Sequence, residues 1–149
     1  MGIPTSDEAA QGRLVLLLDG EAISAIAHGP AQRRDRVRAL IAEMRKRGLP
    51  IATVAAVLAE VVRGRKADAE VFAGLKRERV LVRPVDSRVG VRAGKLLGAA
   101  RYGSEQAVDA FVVAVGDIEG GAIVATIDVD DMQRLAAHAH RVRVVSIQP

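Results

Sequence analysis

Five short apolar runs, spaced out by segments with helical patterning, constrain this chain more than any other feature. They are Arg13–Asp19 (RLVLLLD), Leu49–Thr53, Val80–Arg83, Ala122–Ile127 and Val142–Ile147. The first is continuously apolar and ends in an acid. It is too short for a buried helix and suits a strand covered on both faces. Helices are expected over 21–27, over Ala31–Arg47 closed by Gly48, over Val54–Val62, Ala67–Arg77 and Ser87–Ala100. Two more follow, one capped by Ser104 and ended by Gly120–Gly121, the other running from Asp128 to Ala139. Strands that alternate with helices pair in parallel and carry the helices on both faces. In such sheets, ligands bind beyond the carboxyl ends of the strands. Two of the runs lead directly into acids there, Asp19 and Asp128.

A chain of 149 residues is expected to form one domain, here residues 13–149, behind a flexible tail of residues 1–12. The tail fits the spacing of a myristoylation signal at Gly2 and Ser6, a match read as chance beside Pro4 and two acids. No apolar run approaches the roughly 20 residues of a membrane span, and no secretory signal is evident, so no membrane partner is expected. With no cysteine in the chain, a disulfide framework and a thiolate metal site are both excluded. That composition fits a cytoplasmic protein. The net charge is +4, with basic clusters at Arg33–Arg38, Arg45–Arg47, Arg63–Lys66 and Lys76–Arg79. Singly these suit solvated helix faces, but together they suit a polyanionic partner. One Tyr, two Phe and no Trp make an aromatic stacking platform for single strands an unsuitable reading.

The chemistry concentrates in four acids set in apolar company. Asp19 follows LVLLL, Glu60 lies in VAAVLAEVV, Asp109 lies in AVDAFVVAV, and Asp128 follows AIVATI. An ionised carboxylate among apolar neighbours is costly unless paired. Each has a plainer reading: a turn at Asp19, a surface helix position or a pair with Arg63 for Glu60, a helix-dipole position for Asp109, a cap at Asp128. Jointly they suggest a shared divalent cation. Hard cations such as Mg²⁺ and Mn²⁺ select carboxylate oxygen, and the absence of Cys and His from these segments argues against zinc. Such a cluster activates water against a phosphodiester. His28, His138 and His140 read as turn or surface residues, Asp117 and Glu119 as solvated, and no Gly-rich phosphate loop is present.

In these same pieces the chain resembles the PIN-domain ribonucleases, in particular the VapC-like toxins of bacterial toxin–antitoxin modules. The matching stretches are LVLLLDGEAISAIAHG, VAAVLAEVVRG, AGKLLGAA followed by AVDAFVVAV, and ATIDVDDMQRLA. They run in order from Leu14 to Ile147. The resemblance implies a three-layer α/β/α sandwich around a mainly parallel sheet. It implies Mg²⁺- or Mn²⁺-dependent RNA cleavage, with Asp19, Glu60, Asp109 and Asp128 as catalytic and metal-holding acids. Asp131 matches an assisting position, and Thr126 a hydroxyl that orients the acids or the water. A homodimer and an inhibitory antitoxin are also implied. The chain departs from the family at Gly20 and Glu21, where a small hydroxyl or amide residue is usual; Glu21 either adds a carboxylate or points away. Ile127 and Val129 depart similarly around the fourth acid. Two rivals remain: a PIN-like module that binds RNA or protein without cutting, and a phospho-acceptor receiver domain. Against the latter, no second acid adjoins Asp19, and VRVVSIQP lacks a lysine.

Overall fold

A computed structural model describes residues 14–149 of the protein. The expected tail of residues 1–12, the Gly2 pattern and the start of the domain at residue 13 lie outside the described residues. Five strands form one sheet: β1 (Val15–Leu18), β2 (Ile51–Val54), β3 (Leu81–Arg83), β4 (Ala122–Thr126) and β5 (Val142–Ser146). Their order is β3-β2-β1-β4-β5, and every pairing is parallel. Each residue of β1, β2 and β4 is buried, which is why these runs are apolar throughout and do not alternate. The edges differ. Leu81 and Val82 of β3 are exposed, and β5 is half-buried.

Seven α-helices flank the sheet among the described residues. They are α1 (Gly20–His28), α2 (Ala31–Lys46), α3 (Ala55–Val61), α4 (Asp68–Arg77), α5 (Ser87–Ala100), α6 (Ala107–Ile118) and α7 (Val129–Ala136). One group joins α1 to α2 and α4, and a second joins α6 to α5 and α7. The expected α/β architecture with a parallel sheet is present. The strand order also separates the fold from the receiver reading, because receiver-type sheets run 2-1-3-4-5.

Two local expectations are corrected. Ser104 does not cap α6 but opens a 3₁₀ turn, Ser104–Gln106, and Gln106 takes the cap position with no side-chain bond. The last helix ends at Ala136, and the chain to Ala139 tightens into turns, with His138 N–H donating to Leu135 O and Ala139 N–H to Ala136 O.

The apolar helix α6 lies at the centre of its layer, with Val112, Val113, Ala114 and Val115 buried. It meets β4 at Gly116, where a Cβ would stand 2.7 Å from the Cβ of Ala122. Any side chain there would push helix from sheet.

At the far end of α6 the expectation of solvated acids fails. The Asp117 side chain is 9% exposed and accepts from Arg92 Nε at 2.6 Å and from the His140 amide at 2.7 Å. Burial pushes its carboxyl up, but these donors outweigh burial and hold it below the ordinary range. Glu119 pairs with Arg83 at 2.8 Å. Both partners are distant in sequence, so local composition gave no sign of them.

The chain runs from β1 outward through β2 to β3, then crosses to β4 and β5 on the other side. The reversal falls between β1 and β4, where their carboxyl ends open a crevice. In register, Leu18 stands opposite Ala125, and the Asp19 amide donates to Ala125 O at 3.1 Å. Asp19 therefore sits at the switch point itself.

Candidate active site

Asp19 ends β1 and begins α1. Its backbone is extended, and its carbonyl accepts the first helical bond, from Ile23 N–H at 3.0 Å. Its side chain makes no capping bond, so the carboxylate is left for other partners. Thr126, the last residue of β4, donates its hydroxyl to Asp19 Oδ2 at 2.9 Å. The same hydroxyl accepts the Asp128 amide at 3.0 Å. Asp19 is 6% exposed, yet its Oδ1 is buried with no hydrogen-bond partner. A neighbouring strand is tied in by Thr53 of β2, whose hydroxyl donates to Leu18 O at 2.7 Å. Sequence reading missed Thr53, since a threonine in a strand needs no further explanation.

The other acids arrive from separate elements. Glu60 comes from α3, Asp109 from the first turn of α6, and Asp128 from the residue before α7. All four acids line one crevice of about 640 Å³, together with Glu21, Gly20, Ser24, Arg63, Glu105 and Ile127. The structure thus brings together every acid that the apolar contexts singled out. Their plainer readings hold in part: Glu60 is exposed on α3, and Asp109 lies in the first turn of α6, where the helix dipole favours an acid. Asp128 stands at the cap position of α7 but makes no side-chain cap bond. Glu60 forms no ion pair with Arg63, whose guanidinium donates instead to the carbonyls of Ala59 and Val62.

Electrostatics confirm the crowding. Burial, then the charges of Asp19, Asp128, Glu60 and Asp131, push the Asp109 carboxyl up to about 7. Burial followed by Asp19 and Glu21 raises Glu60. Burial followed by Asp131 raises Asp128. Against these effects the Arg63 charge lowers Glu60, although the two form no salt bridge. Gly20 is explained by the same crowding, because a Cβ there would stand 3.2 Å from Glu60 Oε1.

Asp131 lies outside the crevice lining. The phenol of Tyr102 donates to its Oδ1 at 2.6 Å, and Arg134 stacks over the Tyr102 ring at 4.5 Å. The Asp131 charge in turn raises the Asp128 carboxyl, so Tyr102 is linked to the site through two neighbouring acids. Glu21 does line the crevice, with its carboxylate 3.6 Å from Arg33. Behind Glu60 the chain turns at Arg63–Arg65, and all three amides donate to Asp68. Tyr102, Glu105 and Asp68 were not singled out from the sequence. The only available sign was Gly64 before an acid in the first turn of a helix, which suits a tight loop.

The donor set is all oxygen, with one buried carboxylate oxygen unpartnered, and so matches a hard divalent cation. Among the described residues, however, no three acids or histidines stand grouped as a ready coordination shell. A cation would have to draw the repelling carboxylates inward.

The fold and crevice define an α/β protein with an acid-lined cleft at the switch point of a parallel sheet. A chain in the crystal structure of VapBC2 from Rickettsia felis, bound to a DNA fragment from their promoter, is similar in structure. The TM-score is 0.63 at 14% identity, over 89% of this chain and 98% of that one. No protein-family model matches the chain. No curated protein matches it by sequence. No helix among the described residues is long and apolar enough to cross a membrane.

Proposed function

We propose that the protein is a metal-dependent endoribonuclease of the VapC type, the toxin of a toxin–antitoxin pair. The observation that carries this reading is the convergence of Asp19, Glu60, Asp109 and Asp128, from four separate elements, on one crevice in which acids outnumber the one lining arginine, Arg63. These four acids would hold Mg²⁺ or Mn²⁺. When bound, such an ion supplies a Lewis acid that offsets charge on the phosphodiester. Thr126 fixes Asp19 through Oδ2 and leaves Oδ1 for the ion. One of the acids takes the proton of the attacking water, and the crevice orients the phosphodiester toward it. The basic clusters, of which Arg63 reaches the crevice lining, suit an RNA strand. The structural likeness to a chain of a VapBC complex supports an antitoxin as the protein partner. A homodimer and a cytoplasmic location complete the proposal on the ground of family resemblance.

The experiment is RNA cleavage by the purified chain with Mn²⁺, with Mg²⁺ and with chelator, beside the Asp109→Asn variant. Cleavage that needs the ion and is lost in the variant supports the reading, and equal cleavage by both overturns it. A second reading is a PIN-like module that binds RNA or protein without cutting. It is favoured by the lack of a preassembled coordination group among the described residues. Ion-independent RNA binding without cleavage would establish it.

A further inference from the structure

Glu21 and Arg33 form an unusual pair for such a crevice. Glu21 is part of the crevice wall in the first turn of α1, and Arg33 Nη1 reaches its Oε2 at 3.6 Å from the first turn of α2. The Glu21 side chain is half exposed, and a pair of this kind is weak. Arg33 is otherwise poorly served. Its Nε is buried with no partner, as is that of the adjacent Arg34. Both arginines stand at the positive end of a 16-residue helix whose first turn contains no acid. Helix dipole and side chains therefore add to one another there, an arrangement that costs stability unless an anion offsets it. The guanidinium is a planar fork suited to a phosphate, and with its side chain 24% exposed it meets solvent beside Glu21 through the end that carries Nη1.

We propose that Arg33 is a phosphate-binding residue for the RNA strand at the rim of the acid crevice, and that Glu21 occupies it until RNA arrives. The inference rests on the ribonuclease reading and deepens it. Glu21 is then a displaceable stand-in for a phosphate, not a further ligand of the ion. Its place on the crevice wall beside Gly20 becomes a substrate-gating feature of this chain. A strand phosphate displaces the Glu21 carboxylate from Arg33 and adds one neutralised phosphate to the complex.

The test uses the full chain, a short fluorescein-labelled single-stranded RNA in chelator, and anisotropy across a salt series. Arg33→Gln should weaken binding about tenfold and lower the slope of log affinity against log salt by about 0.7, the value for one single-strand phosphate. Glu21→Gln should tighten binding, and the double variant should match Arg33→Gln alone. Mn²⁺ affinity by calorimetry without RNA should change by no more than about tenfold in any of the three variants, as expected from a neighbouring charge and not a ligand. Unchanged RNA affinity and slope in Arg33→Gln overturns the proposal and leaves the guanidinium to an acidic protein segment. Loss of Mn²⁺ binding in Glu21→Gln by about 100-fold or more, the scale of a lost ligand rather than a lost neighbouring charge, also overturns it. Wild-type protein that neither binds nor cuts RNA overturns the ribonuclease reading itself, whereas RNA cleavage with a silent Arg33 overturns this inference alone.

Discussion

Thr126 Oγ1 donates to Asp19 Oδ2 at 2.9 Å, tying the ends of β4 and β1 across 107 positions of sequence. The same oxygen accepts the Asp128 amide, so one hydroxyl sets two acids on either side of the crevice. Thr126→Val keeps the branched shape and removes both bonds. Leaving buried polar groups unpaired should cost about 1–3 kcal/mol, read by urea unfolding. Cleavage should fall at least about tenfold, because small misplacements of reacting groups are costly. Thr126→Ser should retain most of both.

Asp109→Asn should stop ion-dependent cleavage while raising the melting temperature in chelator. Four charged neighbours oppose the wild-type carboxylate, and the amide is exempt from that repulsion. Excess Mn²⁺ should raise the melting temperature of the wild type, by linkage, and the variant much less. A variant that melts lower in chelator, yet gains as much from Mn²⁺, would show that Asp109 has a structural partner.

The pH dependence of the metal-free protein has a definite sign. The Asp109 carboxyl titrates at about 7 in the fold, against 3.8 without it. Between those values the folded state binds more protons than the unfolded one, so stability falls as pH rises. Glu60 and Asp128 are raised as well and act in the same direction. In chelator, the melting temperature should decline from about pH 5 to about pH 7.5, and Asp109→Asn should flatten the decline. Asp68 and Asp117, both lowered, contribute stability that is lost only under more acidic conditions. A melting temperature that climbs through the same window would refute the crowding of acids.

Gly20→Ala places a methyl 3.2 Å from Glu60 Oε1, a contact that requires the carboxylate to give way by a few tenths of an ångström. The expected result is weaker Mn²⁺ binding by calorimetry with little change in unfolding, since alanine suits a helix better than glycine.

Arg92→Ala is the complementary case, since its partner Asp117 lies at the far end of α6 from Asp109. Removing the guanidinium leaves a mostly buried carboxylate short of a donor and should destabilise the protein by about 1–3 kcal/mol. Cleavage per folded molecule should stay the same.

Much of the fold was legible because parallel strands buried on both faces carry uninterrupted apolar runs, as β1 and β4 do. Asp19 and Asp128 were legible as acids that end such runs, and Asp109 as an acid set in the apolar stretch of α6. Thr126 came only through family resemblance. The pairing of Asp117 with Arg92 and the bond from Tyr102 to Asp131 were not legible, because each joins residues more than twenty positions apart. Asp68 was hidden differently: its neighbours are polar, and its burial arises from three loop amides folding over it. Local context reports the cost of burying a charge but not the partner that offsets it.

The bond between Tyr102 and Asp131 also gives the molecule a built-in optical probe. The chain has one tyrosine and no tryptophan, so its near-ultraviolet emission comes almost wholly from this phenol. An excited phenol is a far stronger acid than in its ground state, and a carboxylate at 2.6 Å is placed to take its proton and quench the light. Whatever pulls Asp131 toward Asp128 and away from the ring should brighten the protein. Occupancy of the crevice can then be followed in unlabelled protein, in real time, from a single oscillator.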